Sequence, residues 1–309
     1  MVLLDTQYRM HPEIRKFPSK SFYGDQLQDS FDVGDQTKKP WHEYPIFGPF
    51  AFIDVASKER RGEGDSSFSN DCEADVAVFM VKELLRRYEA QITGSPLTVG
   101  VISPYKAQVA VLKEKFRAAD LLPPAGGEKK LPSGGSVEME ISTIDGFQGR
   151  EKDVMLFSTV RAPSNQIGFV RDERRMNVGI TRARSTLLVV GHAPTLRQND
   201  WWKDLVQDAE DRQVFFSGFG VDGSAEDWLK VVAENTKQRR AVDDQDDWVP
   251  MADPQGDMRN LLSGSGLRRS TPKKKKPKAP GSGRLAVHKT ANKGNKGAGQ
   301  RSGKRARRG

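Results

Sequence analysis

The sequence predicts an α/β fold, a parallel sheet with helices on both faces, followed by a disordered basic tail. Three observations carry that expectation. Strand-like and helix-like segments alternate from about residue 50 to residue 216. Several strand segments are apolar at successive positions, as strands covered on both faces are. The charge is lopsided: the 309 residues carry a net +9, yet residues 259–309 hold 17 Lys/Arg and no acid. The other 258 residues hold 33 bases and 41 acids, so the basic character belongs to a tail and not to the fold.

Taken in order, residues 1–50 read as a loop-rich opening segment of the domain, broken by Pro12, Pro18, Pro40, Pro45 and Pro49. Residues 51–218 supply the body of the domain. Phe50 to Val55 reads as a strand. Asn70 can cap a helix, with Glu73 three residues on as a partial capping box. Val76, Phe79, Met80, Leu84 and Tyr88 then recur at helical spacing. Leu97 to Ile102 is a β-branched strand, and Val109, Leu112 and Phe116 mark one face of a second helix. Gly126, Gly127, Gly134 and Gly135 make a loop. Val137 to Ile141 is a strand with polar alternates, and Asp153 to Val160 a strand with an apolar run. Asp172 caps a helix expected to run to about Arg184. Thr186 to Gly191 is apolar enough to be central, Trp201 to Arg212 is a helix, and Val214 to Phe216 is an edge strand. Such sheets place their ligands at the carboxyl ends of the strands.

Residues 219–258 read as an acidic linker, with one short helix around Trp228 to Val232; residues 222–258 hold 10 acids and 4 bases. The tail from 259 is Gly, Ser, Pro, Lys and Arg with few aliphatic residues, which cannot offset the entropy of ordering. The single cysteine, Cys72, excludes an internal disulfide and a cysteine-based metal site, and it suits a reducing compartment. No apolar run approaches the ~20 residues of a membrane helix, and the start lacks the pattern of a signal peptide.

Four segments look richer than connections need. The first is Gln7-Tyr8-Arg9-Met10-His11-Pro12; the second runs from Ile102 through Ser103, Pro104 and Tyr105 to Gln108, at the end of a strand and the start of a helix. The third runs from Ser142 through Thr143, Gly146, Gln148, Gly149 and Glu151 to Asp153, again after a strand. The fourth is Arg174 to Arg184, a helix with arginines on several faces. Each of the first three has a plainer use: an aromatic packed on a loop beside a solvated cation, a Ser-Pro helix start, or simple turn glycines. The arginine helix is harder to dismiss. Guanidinium is the planar, always-charged donor that suits phosphate oxygens.

In this order the four segments resemble the second RecA-like motor domain of superfamily-one RNA/DNA helicases of the up-frameshift-like group. Lys39-Pro40-Trp41-His42 and Trp201-Trp202-Lys203-Asp204-Leu205 resemble the senataxin type in particular. The likeness covers about residues 2–216. It implies a RecA-like sheet, ATP and magnesium as cofactors, and single-stranded RNA or DNA as partner. It implies a nucleotide-binding set of Gln7, Tyr8, Arg9, Glu151 and Arg182. On this likeness Tyr8 would stack on the adenine, Arg9 would reach the phosphates across an interdomain cleft, and Glu151 would hold the ribose or adenine side. Arg182 would be the finger on the γ-phosphate, with Arg184 close by. Gln148 would couple nucleotide to strand, and the resemblance thus implies a catalytic set of Arg9, Gln148 and Arg182. Thr143 and the Ser103, Pro104 and Tyr105 turn would touch the nucleic-acid backbone.

Neither a Gly-x-x-x-x-Gly-Lys-Ser/Thr loop nor an acidic magnesium motif occurs in the 309 residues. The resemblance therefore implies that a first RecA-like domain, in cis, supplies the phosphate-loop lysine and the magnesium ligands. The chain alone is expected to be inactive, as a truncated gene product, a partial gene model or half of a split enzyme. RNA polymerase or RNA-processing proteins are further implied partners, in transcription termination and the removal of RNA–DNA hybrids. In the tail, Lys273, Lys274, Lys275 and Lys276, with Lys304 and Arg305, read as nuclear-localisation clusters; the same charges also suit nonspecific phosphate binding. The expected location is the nucleus, and no membrane is expected as partner. The competing expectation is a catalytically inactive remnant that serves as a nuclear nucleic-acid or protein binding module.

Overall fold

The computed structural model describes residues 5–62, 67–122, 128–164, 166–219, 228 and 230. Its centre is a seven-stranded sheet. In chain order the strands are β1 (Phe50–Asp54), β2 (Leu97–Ser103), β3 (Lys129–Lys130), β4 (Ser136–Thr143), β5 (Lys152–Ser158), β6 (Ala183–Gly191) and β7 (Phe215–Phe216). Their order across the sheet is β7-β1-β6-β5-β2-β4-β3, parallel throughout except for the short β3 against β4. In the register, Leu188 stands beside Ala51 on one side and Leu156 on the other.

Helices α1 (Pro12–Phe22), α2 (Asp71–Tyr88), α3 (Lys106–Ala118), α4 (Glu173–Ile180) and α5 (Asp200–Asp211) cover this sheet. The strands deal their side chains alternately to two cores. Ala51, Ile53, Val154, Leu156, Leu188 and Val190 pack with Met80, Leu84, Leu112 and Phe116 of α2 and α3. Phe50, Phe52, Met155, Phe157, Leu187 and Val189 pack with residues of α1, α4 and α5, among them Phe17, Met176 and Trp202. This is why β1, β5 and β6 read as apolar at successive positions. β4 differs: Val137, Met139 and Ile141 are buried on one face while Glu138 and Glu140 reach the other.

The structure changes several expectations. The opening segment is not merely loop. Pro12 starts α1 at a position that needs no N–H, His11 accepts from the Glu13 N–H at 3.2 Å, and Ile14 and Phe17 bury the inner face with Pro18 inside the helix. The arginine helix ends at Ile180, and Ala183 and Arg184 belong to β6, because Ala183 pairs with Lys152 of β5. Helix α3 begins at Lys106 and not at Pro104, because Ser103 stays in β2 in register with Thr143. β5 stops at Ser158, short of Val160, whose φ of +76° is a rare backbone for a β-branched residue. Trp228 is described, and its indole donates to the Ser217 carbonyl at 2.8 Å. The rest of the acidic linker beyond Phe219, apart from Lys230, and the whole basic tail with its lysine clusters lie outside the described residues. No described helix is long and apolar enough to cross a membrane.

Candidate functional site

The residues singled out by sequence fall on two opposite edges of the sheet. Glu151 precedes β5 and Arg182 precedes β6, so both stand at the amino edge. Ser103 and Thr143 close β2 and β4 at the carboxyl edge. β5 separates the two by roughly 20 Å at ~3.3 Å per residue. The rule that places ligands at carboxyl ends therefore fits only the second group.

At the amino edge the Gln7 side chain holds the opening turn. Its Oε1 accepts from the N–H groups of Arg9 at 2.9 Å and Met10 at 2.7 Å. Its Nε2 donates to the Met10 carbonyl at 2.8 Å and to Asp29 Oδ1 at 2.6 Å. With both amide ends engaged, Gln7 orders the loop that presents Tyr8 and Arg9. The Tyr8 ring is 74% exposed, an open face with nothing stacked on it among the described residues. Arg9 donates through Nε to Glu151 and through Nη1 to the Thr181 carbonyl at 3.3 Å.

Arg184 approaches the same carboxylate, with Nη1 at 3.7 Å from Glu151 Oε1, and pairs with Asp153 at 3.4 Å. Its Nε is buried without a hydrogen-bond partner. Arg182 lies at the end of α4, donating to the Val178 carbonyl at 2.9 Å and to Thr181 Oγ1 at 3.2 Å. It makes no ion pair with Asp153 or Glu173. Burial first, and then the neighbouring Arg9 charge, holds Arg182 below its ordinary arginine value, with Glu151 opposing. Three guanidinium groups thus gather at one edge around Glu151. Two of them repel each other, and an anion placed there relieves both. The groups suit a nucleotide: an exposed ring to stack on, planar cations for phosphate oxygens, and a carboxylate to accept from hydroxyls. Gln148 is exposed in the loop that runs from Thr143 to Glu151, from one edge to the other. Among the described residues no group of three His, Cys, Asp or Glu side chains is set to hold a metal ion.

At the carboxyl edge, Ser103 is fully buried and its Oγ accepts from the Tyr105 N–H at 3.4 Å. Tyr105 is also buried, and its hydroxyl accepts from the Phe169 N–H at 3.2 Å. The turn's own surface is the half-buried Pro104 and the exposed Lys106. Thr143 is half-buried and accepts from the Gly146 N–H at 3.1 Å.

Sequence reasoning missed one polar cluster on this edge. Asn70 caps α2 as expected, accepting from the Glu73 N–H at 3.2 Å. The reciprocal half of the box is absent: the Asn70 N–H donates to Gln108 Oε1 at 2.7 Å. The fully buried Glu73 carboxyl instead crosses to the end of β5, accepting from Ser158 Oγ at 2.6 Å and from the Val160 N–H at 2.8 Å. It pins the unusual backbone of Val160. Burial, only partly offset by these hydrogen bonds, pushes its pKa up to about 8. The sole sequence signal was an acid on the inner face of an apolar helix.

Most of the chain that builds this sheet matches a known family. The chain belongs to the AAA domain family, which it matches over residues 1–194. More narrowly, it is a superfamily-one helicase motor domain of the senataxin type, to judge by its relatives. It is 44% identical over 217 residues to "Probable helicase MAGATAMA 3" of Arabidopsis thaliana, covering 69% of this chain and 25% of that protein. It is 40% identical over 216 residues to "Helicase sen1" of Schizosaccharomyces pombe, covering 69% of this chain and 12% of that one. To a "Regulator of nonsense transcripts 1 homolog" of Drosophila melanogaster it is 36% identical over 220 residues, 70% of this chain and 17% of the relative. The chain thus spans at most a quarter of the length of these relatives.

Proposed function

We propose that this domain is the C-terminal motor half of an ATP-dependent RNA/DNA helicase acting on single-stranded nucleic acid or RNA–DNA hybrids. The observation that carries the reading is the gathering of Arg9, Arg182 and Arg184 around Glu151, beside the exposed Tyr8 ring. Hydrolysis of bound ATP is the chemistry that drives such a motor. Tyr8 stacks on the adenine and Glu151 accepts from the ribose. Arg9 and Arg182 face the phosphates, where a fixed cation stabilises the charge that grows in phosphoryl transfer. Gln148 and its loop link this edge to the nucleic-acid edge, where Pro104 and Thr143 meet the sugar-phosphate backbone. The phosphate-loop lysine and the magnesium ligands come from a first RecA-like domain.

The location proposed is the nucleus, through Lys273 to Lys276 and the Lys304–Arg305 cluster, with RNA polymerase or RNA-processing proteins as partners. The 17 uncompensated cations of residues 259–309 favour a second reading, a nucleic-acid or protein binding module without turnover.

One comparison decides between them. ATPase activity is measured on the 309-residue chain alone and on the same chain joined to a phosphate-loop motor domain from a relative. RNA- or DNA-stimulated turnover in the joined protein only is the result expected of a motor half. No turnover in either, with nucleic-acid binding retained, refutes it in favour of the binding module.

A further inference from the structure

We infer that Phe169 is a stacking platform for one unpaired base of a single strand, with Arg171 taking an adjoining phosphate. This rests on the nucleic-acid reading above and adds a site to it. Phe169 is 55% exposed, although most large apolar side chains of the described fold are buried. It lines a cavity of about 780 Å³ together with Tyr105, Arg161, Gly168 and Arg171, among others. That volume lies in the range of ligand clefts and leaves ample room for a flat base.

The ring is held in place from below. Its N–H donates to the Tyr105 hydroxyl, and its centroid lies 5.9 Å from the buried Tyr105 ring at 53°. Gly168 allows this close passage. Its φ is +61°, and a Cβ there would stand 2.7 Å from both Arg161 Nη1 and the Tyr105 hydroxyl. Arg161 is itself fixed, paired with Glu59 at 2.8 Å and lying 4.2 Å above the Phe68 ring. The underside of Phe169 is thus committed to the fold, while much of its surface faces solvent.

The surroundings select the occupant. The Arg175 guanidinium lies 6.0 Å from the Phe169 ring centre and pairs with Asp145. Arg171 is exposed on the same cavity and has no ion pair among the described residues. The adjacent acid, Asp172, is engaged as the helix cap, accepting from the N–H groups of Arg174 and Arg175. An exposed aromatic ring beside a free arginine fits a base and its phosphate, an anionic and aromatic pair, better than an apolar peptide. The place fits too, because Tyr105 belongs both to this cavity and to the Ser103–Tyr105 turn. Stacking of this kind reads no base identity, so the site grips a strand of any sequence.

The test uses the full chain and a single-stranded oligonucleotide carrying 2-aminopurine, at about 0.3 M salt, where binding of phosphates by the tail is weakened. The unaltered chain is expected to quench the 2-aminopurine emission. Phe169→Ala should abolish the quench and weaken binding by roughly 5- to 100-fold, while Phe169→Trp keeps both. Arg171→Ala should reduce the slope of log affinity against log salt by about 0.7. Circular dichroism verifies that each variant is folded. Binding and quench that survive in Phe169→Ala overturn the platform and leave the nucleic-acid reading standing, as does binding by the unaltered chain with no quench. Failure of the unaltered chain to bind any single strand, even at low salt, overturns the nucleic-acid reading itself.

Discussion

The Glu151 carboxylate is shared by Arg9 and Arg184: Arg9 Nε donates to one oxygen, and Arg184 Nη1 stands 3.7 Å from the other. One acid thus ties the opening turn to the first residues of β6, and the Arg184 carbonyl adds a bond at 2.7 Å from the His11 N–H. Both partners of the Arg9–Glu151 pair are more than a third exposed, so the pair contributes little to stability, roughly 1 kcal/mol or less. Its use is orientation. Glu151→Ala, made in the joined two-domain protein, should leave the melting temperature almost unchanged and raise the half-saturating ATP concentration about tenfold, the scale of one hydrogen bond to a charged group. A variant with lowered melting temperature and unchanged ATP saturation would show Glu151 to be a brace only.

Arg182→Ala in the same protein should lower turnover by about 10³ to 10⁵, the range of an arginine finger. It should also cost about 0.5 to 1 kcal/mol, because the guanidinium donates to the Val178 carbonyl at the end of α4. Arg182→Lys should recover the stability more than the turnover, since an ammonium lacks the fork. Thermal midpoint and ATPase rate read on one preparation separate the two effects. Turnover retained per folded molecule, with a lowered midpoint, would reduce Arg182 to a helix cap.

Glu73 predicts a pH dependence of stability. Burial lifts its pKa from 4.5 to about 8, so between these values the folded chain keeps a proton that the unfolded chain has lost. The group's contribution is therefore full below about pH 4.5 and declines as pH rises through about 8. Glu73→Gln keeps the shape and removes the ionisation. Its melting temperature plotted against pH should fall less steeply than that of the parent over this window. Parallel curves would mean that Glu73 ionises in the folded chain as it does in water.

Gly179→Ala should destabilise the fold by roughly 1 to 3 kcal/mol, as overpacking does. A Cβ at Gly179 would meet the Phe157 ring at 2.6 Å and Ile102 at 3.3 Å. The gain of about 1 kcal/mol in helix propensity is too small to offset this. Chemical denaturation measures it; an Ala variant as stable as the parent would show that α4 can move off β5.

Removal of residues 259–309 should move a fluorescent fusion out of the nucleus. It should also flatten the salt dependence of RNA binding by about 0.7 for each phosphate that the tail had neutralised. A fusion that stays nuclear, with an unchanged slope, would assign both properties to the folded domain.

Much of the sheet was legible from the sequence because β1, β5 and β6 are apolar on both faces, a pattern with few alternatives. Boundaries were not. Pro18 reads as a breaker, yet it lies within α1, in a helix already anchored by Ile14 and Phe17. Arg182 to Arg184 read as helix because arginine and alanine favour one; pairing with β5 across the sheet decided otherwise. That error also hid the edge on which Arg182 stands. Glu73 was illegible as more than a cap, because its partners Ser158 and Val160 are more than 80 residues away.

The strand order also bears on how the chain is made. Among the described strands β1 pairs only with β6 and β7, and both follow it late in the sequence. A ribosome delivering Phe50–Asp54 at 5–20 residues per second needs roughly ten seconds to reach Ala183–Gly191. Throughout that interval Phe50, Phe52 and Ile53 have no sheet to join. The nascent chain therefore passes through a stage in which an apolar strand with two open edges must be shielded, and holding chaperones are the expected attendants of its synthesis.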